Sequence, residues 1–154
     1  ALNGDVTVAA DKNIGMSGAS TFTTGTGAVA LNGSIVKTIT PPSQITTDGV
    51  ATFLIADMLK QVIFRDPVDS ARADKFDTAV NIVGSMPGTA AVGQTIEVVI
   101  CNDADTAETI TISANTGLTL KGKLTIAQDE ARRFLIRLTN VGGGTEAVTV
   151  IGLA

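Results

Sequence analysis

Histidine is absent from this 154-residue chain, as are tryptophan and tyrosine, while cysteine occurs once and phenylalanine five times. Without histidine the chain lacks the commonest general base and the commonest metal ligand. A Ser–His–Asp or Cys–His arrangement is excluded, and zinc would have one thiolate and some carboxylates to choose from. A lone cysteine rules out an internal disulfide framework and suits a chain that folds in a cytosol. Its place in the stretch EVVIC, as Cys101, predicts a buried small hydrophobe rather than a nucleophile. The missing Trp and Tyr also remove the rings on which a receptor-binding tip stacks sugars.

Charge is sparse as well. Charged residues make up 17% of the chain and the net charge is −4, against a usual charged share of about a quarter. Nucleic-acid binding draws its affinity from Lys and Arg neutralising phosphates, and the only basic cluster is Arg132-Arg133. No nucleic-acid partner is expected. No apolar run approaches the roughly 18 residues of a membrane span, so no membrane partner is expected either. The opening ALNGDVTV does not read as a secretion signal.

What is present is small and β-branched. The hydrophobic share of 44% comes mainly from Ala, Val, Ile and Leu, and threonine occurs 22 times. Such side chains fit a pleated surface. The expected fold class is all-β, mainly an antiparallel β-sandwich or barrel with one or two short helices, plus an extended Gly/Thr-rich N-terminal β arm.

That arm covers residues 1–40. It holds four of the 26 charges and six of the 16 glycines, and ALNGDVTV at its start is echoed by ALNGSIVK at 30–37. In both, Asn-Gly suits a tight turn before a β-branched strand. The stretch FTTGTGAVALNG offers backbone and hydroxyls and little else. Ordering backbone costs roughly 1–2 kcal/mol per residue, and burying one large apolar group returns roughly 1.5–3 kcal/mol. Too few such groups occur here for the segment to fold alone, so its strands must pair with something outside it. The apolar anchors of this arm are Phe22, Val29, Leu31, Ile35 and Ile39; the alternative is that they complete the core of the following domain.

Pro41-Pro42 breaks the pattern, since proline fixes φ and cannot continue a ladder. Residues 41–46 therefore read as a linker and 47–154 as a globular β domain. GVATFL reads as a strand, IADMLKQ as a helical turn and VIFRDP as a strand ended by Pro67. Asp77 is expected to cap a helix over TAVNIVGSM with Val80, Val83 and Met86 on its core face, stopped by Pro87-Gly88. QTIEVVICN, AETITISA, GLTLKG, KLTIAQ, ARRFLIRLTN and TEAVTVIGL follow as strands, with GGG in the last hairpin loop.

Two acidic clusters remain. Asp103, Asp105 and Glu108 in CNDADTAE lack the glycine and terminal glutamate of a calcium loop, and read as a polar turn between two strands. In RDPVDSARADKFD the acids alternate with Arg65, Arg72 and Lys75. Mixed charge at that density reads as a solvated loop, or as an inter-subunit salt-bridge loop carried by Arg65, Asp66, Arg72 and Asp74. TGTGAV lacks the GxGxxG spacing and VGGGTE lacks the Walker lysine. No enzyme, cofactor or metal site is expected.

The order FRDP, a loop with Arg72 and Asp74, a short helix, MPGTAAVGQT, DTAETITISANTGLTLKG, TIAQDEARRFLIRLTNV and a terminal TEAVTVIGL resembles the head decoration, or cement, proteins of tailed bacteriophages. The resemblance covers roughly two-thirds of the chain. It implies a β-rich virion protein, commonly a homotrimer, on the outer surface of the capsid and in contact with the major capsid protein. There it would hold shell subunits together against the pressure of packaged DNA. Two other readings are a phage tail fibre, spike or tail-tube component and a non-viral β-sandwich adhesion module.

Overall fold

The structure, a computed structural model, describes residues 41–153. The arm and its anchors Phe22, Val29, Leu31, Ile35 and Ile39 lie outside the described residues. Along the described chain run β1 (Ser43–Ile45), β2 (Thr52–Phe53), α1 (Ile55–Met58), β3 (Val62–Arg65), β4 (Arg72–Phe76) and α2 (Ala79–Gly84). After these come β5 (Thr95–Asn102), β6 (Ile110–Ser113), β7 (Leu118–Gly122), β8 (Thr125–Ile126), β9 (Ala131–Asn140) and β10 (Ala147–Gly152).

The strands form two sheets, one in the order β1-β3-β5-β9-β10-β7 and one in the order β2-β4-β6-β8. Up to β8 the chain alternates between them, odd-numbered strands in the larger sheet and even-numbered ones in the smaller. Each excursion into the other sheet brings the chain back to its starting side. As a result β1, β3 and β5 pair in parallel, and so do β2, β4 and β6. Only β5·β9, β9·β10 and β6·β8 are antiparallel, and β7 joins β10 in parallel.

The fold is thus mainly β, as expected, but its sheets are mixed rather than antiparallel. The reason is physical. Alternation along TITIS or RFLIRL reports which face of a strand is buried, and that pattern is the same whichever way the neighbour runs. The partner's direction is set by where the crossover goes.

One core joins both sheets. Phe53, Phe76, Ile110, Ile112 and Ile126 from the smaller sheet lie in the same buried cluster as Ile63, Val98, Ile100, Phe134, Ile136 and Val150 from the larger. Phe76 sits at its centre, its ring 5.5 Å from that of Phe53 and 5.4 Å from that of Phe134. Offset and edge contacts of this kind add to area burial.

Two local expectations are corrected. The stretch 41–46 is not simply a linker, because Ser43–Ile45 forms β1, with Gln44 opposite Phe64 and Ser43 buried. Proline stops a ladder only at its own N–H, so a strand can begin directly after Pro41-Pro42. In α2 the cap is Thr78, whose hydroxyl accepts from the Asn81 N–H. Asp77 instead accepts from the Thr78 N–H at 2.9 Å and from Asn81 Nδ2 at 2.7 Å. The helix buries Ala79 and Ile82; of the expected face, Val83 packs against the core and Met86 is buried just past the helix end, but Val80 is 53% exposed. The core stripe is thus wider than expected and is centred on Ile82, which leaves Val80 outside it.

Candidate functional site

Polar side chains enter the interior where the strands' buried periodicity falls on them, at or near strand ends in β3, β5 and β9 and in mid-strand in β4. In β3 the buried positions are Ile63 and then Arg65; in β4 they are Asp74 and Phe76. In β5 they run Ile96, Val98, Ile100, Asn102, and in β9 they run Arg132, Phe134, Ile136, Leu138. A buried polar group must find partners within the fold, and each of these does.

Arg65 is completely buried, and so is Asp74. Arg65 Nε donates to Asp74 Oδ2 at 2.7 Å, and Nη2 reaches Asp74 Oδ1 at 3.4 Å. Nη1 donates to the carbonyls of Thr47 at 2.8 Å and Asp66 at 2.5 Å, and Nη2 to that of Gly49 at 2.7 Å. All five guanidinium N–H donors are therefore engaged. Asp74 Oδ1 also accepts from the Ala51 N–H at 2.7 Å. The pair joins β3 of one sheet to β4 of the other and closes the segment 47–51 over them.

This geometry replaces the inter-subunit salt bridge expected of Arg65 and Asp74, since two fully buried side chains cannot reach a neighbouring molecule. Nor is the segment merely a solvated loop: Arg72–Phe76 is a strand with Asp74 and Phe76 buried. Asp66 works locally, its Oδ1 accepting from the Val68 N–H at 3.0 Å. Arg72 pairs with Asp48 and donates to the carbonyls of Pro67 and Val68, both at 3.1 Å. The sequence-expected residues are thus brought together, but inside one chain.

Beside this clamp the connection from β5 to β6 is pinned by Asn102. Its Nδ2 donates to the carbonyls of Glu108 at 2.8 Å and Ile126 at 3.1 Å, and its Oδ1 accepts from the Ala104 N–H at 3.3 Å. The polar turn expected at Asp103, Asp105 and Glu108 is present, but Glu108 is only 5% exposed. It falls two residues before buried Ile110, on the buried period of β6. Carboxylate oxygens of Asp69, Asp105 and Glu108 lie within 4.8 Å of one another. Sequence reasoning missed this convergence because Asp69 arrives from the β3–β4 connection, far away along the chain.

Elsewhere, Met58, Leu59, Met86 and Ile96, with Gln94 and Glu97, line a cleft of about 230 Å³. Among the described residues its one carboxylate is Glu97, which faces Arg133 at 3.6 Å, and no set of titratable groups from them converges there. Cys101 is half-buried rather than buried, because β5 turns Ile100 and Asn102 to the core and Cys101 to the other face. Burial, then the nearby charge of Asp103, pushes its thiol above the ordinary value of 9.0, which disfavours the reactive thiolate. Comparison with protein-family models, curated proteins and solved structures returns no match for this chain.

Proposed function

We propose that this chain is a structural virion protein that binds the outer surface of a tailed-phage capsid as a homotrimer and cements neighbouring capsid subunits. The observation that carries the reading is the position of β1. Ser43–Ile45 is an end strand of the larger sheet, paired with β3 on one side among the described residues, and in sequence only Pro41-Pro42 separates it from the Gly/Thr-rich segment 1–40. A strand edge is a template for an added strand, with backbone hydrogen bonds supplying affinity and alternate side chains supplying register.

In this mechanism each arm adds strands to a sister subunit or to the major capsid protein. Phe22, Val29, Leu31, Ile35 and Ile39 serve as the apolar anchors. One backbone hydrogen bond contributes only about 0.5–1.5 kcal/mol net, so three arms engaging together supply through effective concentration what one weak contact does not. The clamp of Arg65 and Asp74 fits a body that must resist mechanical stress, because its charged groups hold the two sheets together.

The test is the native mass of the full chain by light scattering, with concentration read from refractive index because Trp and Tyr are absent. Brief proteolysis and co-sedimentation with undecorated capsids accompany it. A trimer that loses capsid attachment when residues 1–40 are deleted supports the reading. Attachment retained by the truncated chain refutes the arm mechanism. A monomer whose residues 1–40 resist protease favours a self-contained adhesion module instead.

A further inference from the structure

The convergence of Asp69, Asp105 and Glu108 is not used by the assembly reading, and it contains an unusual atom. Glu108 is 5% exposed. Its Oε1 accepts from the Thr106 hydroxyl at 2.9 Å, but among the described residues its buried Oε2 has no hydrogen-bond partner. A buried carboxylate oxygen left unpaired is costly unless something positive meets it. Among the described residues no ion pair reaches Asp69, Asp105 or Glu108: Arg65 is committed to Asp74, and Arg72 to Asp48. Besides the Thr106 hydroxyl, the carboxylates of Asp69 and Asp105 approach Glu108, and they add to the unbalanced charge.

We propose that these three carboxylates bind a calcium ion. All three donors are hard oxygens, the ligand type that Ca²⁺ selects, and soft or imidazole donors are missing from the set. Ligand atoms that all lie within 4.8 Å of one another can share one ion at Ca–O distances of about 2.3–2.6 Å, whereas Mg²⁺ demands near-ideal octahedral geometry and gives up its waters reluctantly. Three carboxylates also match the charge density usual for Ca²⁺ sites.

Both connections that carry the ligands are anchored independently of any ion. Asn102 ties the 103–109 connection to the body through the Glu108 carbonyl. On the other side, the Arg72 N–H donates to the Thr109 carbonyl at 3.0 Å, and the Arg72 guanidinium fixes the carbonyls of Pro67 and Val68. Asp69 then stands in the left-handed region, at φ 58°, with Val68 before it at φ 54°. Asn and Asp tolerate that conformation better than other residues with side chains. Calcium would join the β3–β4 connection to the β5–β6 connection, and so lock one end of the two-sheet body.

The experiment uses the full chain, stripped with a chelator and melted by far-ultraviolet circular dichroism with and without added ions. About 5 mM Ca²⁺ is expected to raise Tm by roughly 3–6 °C, as binding near millimolar affinity to a domain of this size implies, with Mg²⁺ giving less than half that rise. Calorimetric titration should count one Ca²⁺ per chain. Asp69→Asn alters an exposed residue, keeps the backbone preference, and should lose most of the shift without lowering the metal-free Tm. Glu108→Gln should abolish the shift while its metal-free Tm stays equal to or above that of the parent, because an unpaired buried charge is gone. An unchanged parent Tm in Ca²⁺, an equal response to Mg²⁺, or a full Ca²⁺ response in the Asp69→Asn chain overturns the site.

Discussion

Asp74 and Arg65 lie nine residues apart in sequence and in different sheets, yet their side chains are completely buried against each other at 2.7 Å. Removing one partner leaves the other charge stranded in the interior. Asp74→Ala is expected to lower unfolding free energy by about 3–5 kcal/mol, measured by urea denaturation. Arg65→Met should cost a comparable amount. The double variant Arg65→Met/Asp74→Leu should be more stable than the sum of the single losses by about 2 kcal/mol or more. Strict additivity would mean that the two residues do not act as a pair.

Gly152 stands opposite Gly122 where β10 meets β7. A Cβ on Gly152 would fall onto the Lys123 carbonyl oxygen and come within 3.2 Å of the Phe134 ring. Both neighbours are held, the first by the backbone and the second by the core. Gly152→Ala is therefore expected to cost about 1–3 kcal/mol or more in the same assay. Gly143→Ala, which meets open space, should change stability by no more than about 0.5 kcal/mol. Equal costs at the two positions would contradict the close β10–β7 approach.

The face of α2 can be read by truncation. Ile82 is fully buried and Val80 is 53% exposed. Ile82→Ala should cost about 2–5 kcal/mol, while Val80→Ala should stay within about 0.5 kcal/mol. The opposite ranking would restore the helix face that Asp77 capping implied.

Cys101 gives a pH-dependent prediction. Burial and then Asp103 raise its thiol pKa above 9.0, so the folded protein holds the proton more tightly than the unfolded chain. The resulting stabilisation is full below the unfolded value and is lost as pH rises through the folded one. Stability should fall above about pH 9 by less in Cys101→Ser than in the parent, as thermal melts would register. At pH 8 a thiol reagent should modify the folded chain more slowly than the urea-unfolded chain, and Asp103→Asn should partly restore the rate. A folded thiol reacting as fast as the unfolded one would contradict the assignment.

Much of the strand content was legible because it rests on local terms. TITIS and RFLIRL alternate, β-branched residues dominate, and the expected strands from QTIEVVICN to TEAVTVIGL each contain an observed one. The same period carried a further signal. It assigns Arg65, Asp74, Asn102, Glu108 and Arg132 to buried positions, although their polarity suggests the surface. That polarity suggested a loop at 65–77, where the structure has a strand.

The sequence by itself determined the β character, the small side chains of the core, and the lack of histidine and of a second cysteine for an internal disulfide. These follow from residue types and spacing, which act within a few residues. Tertiary structure decided the direction of each strand pair, the closure of Arg65 onto Asp74, and the meeting of Asp69 with Asp105 and Glu108. Those depend on which sheet each crossover enters, and that choice is made by burying both sheets in one core rather than by any local preference.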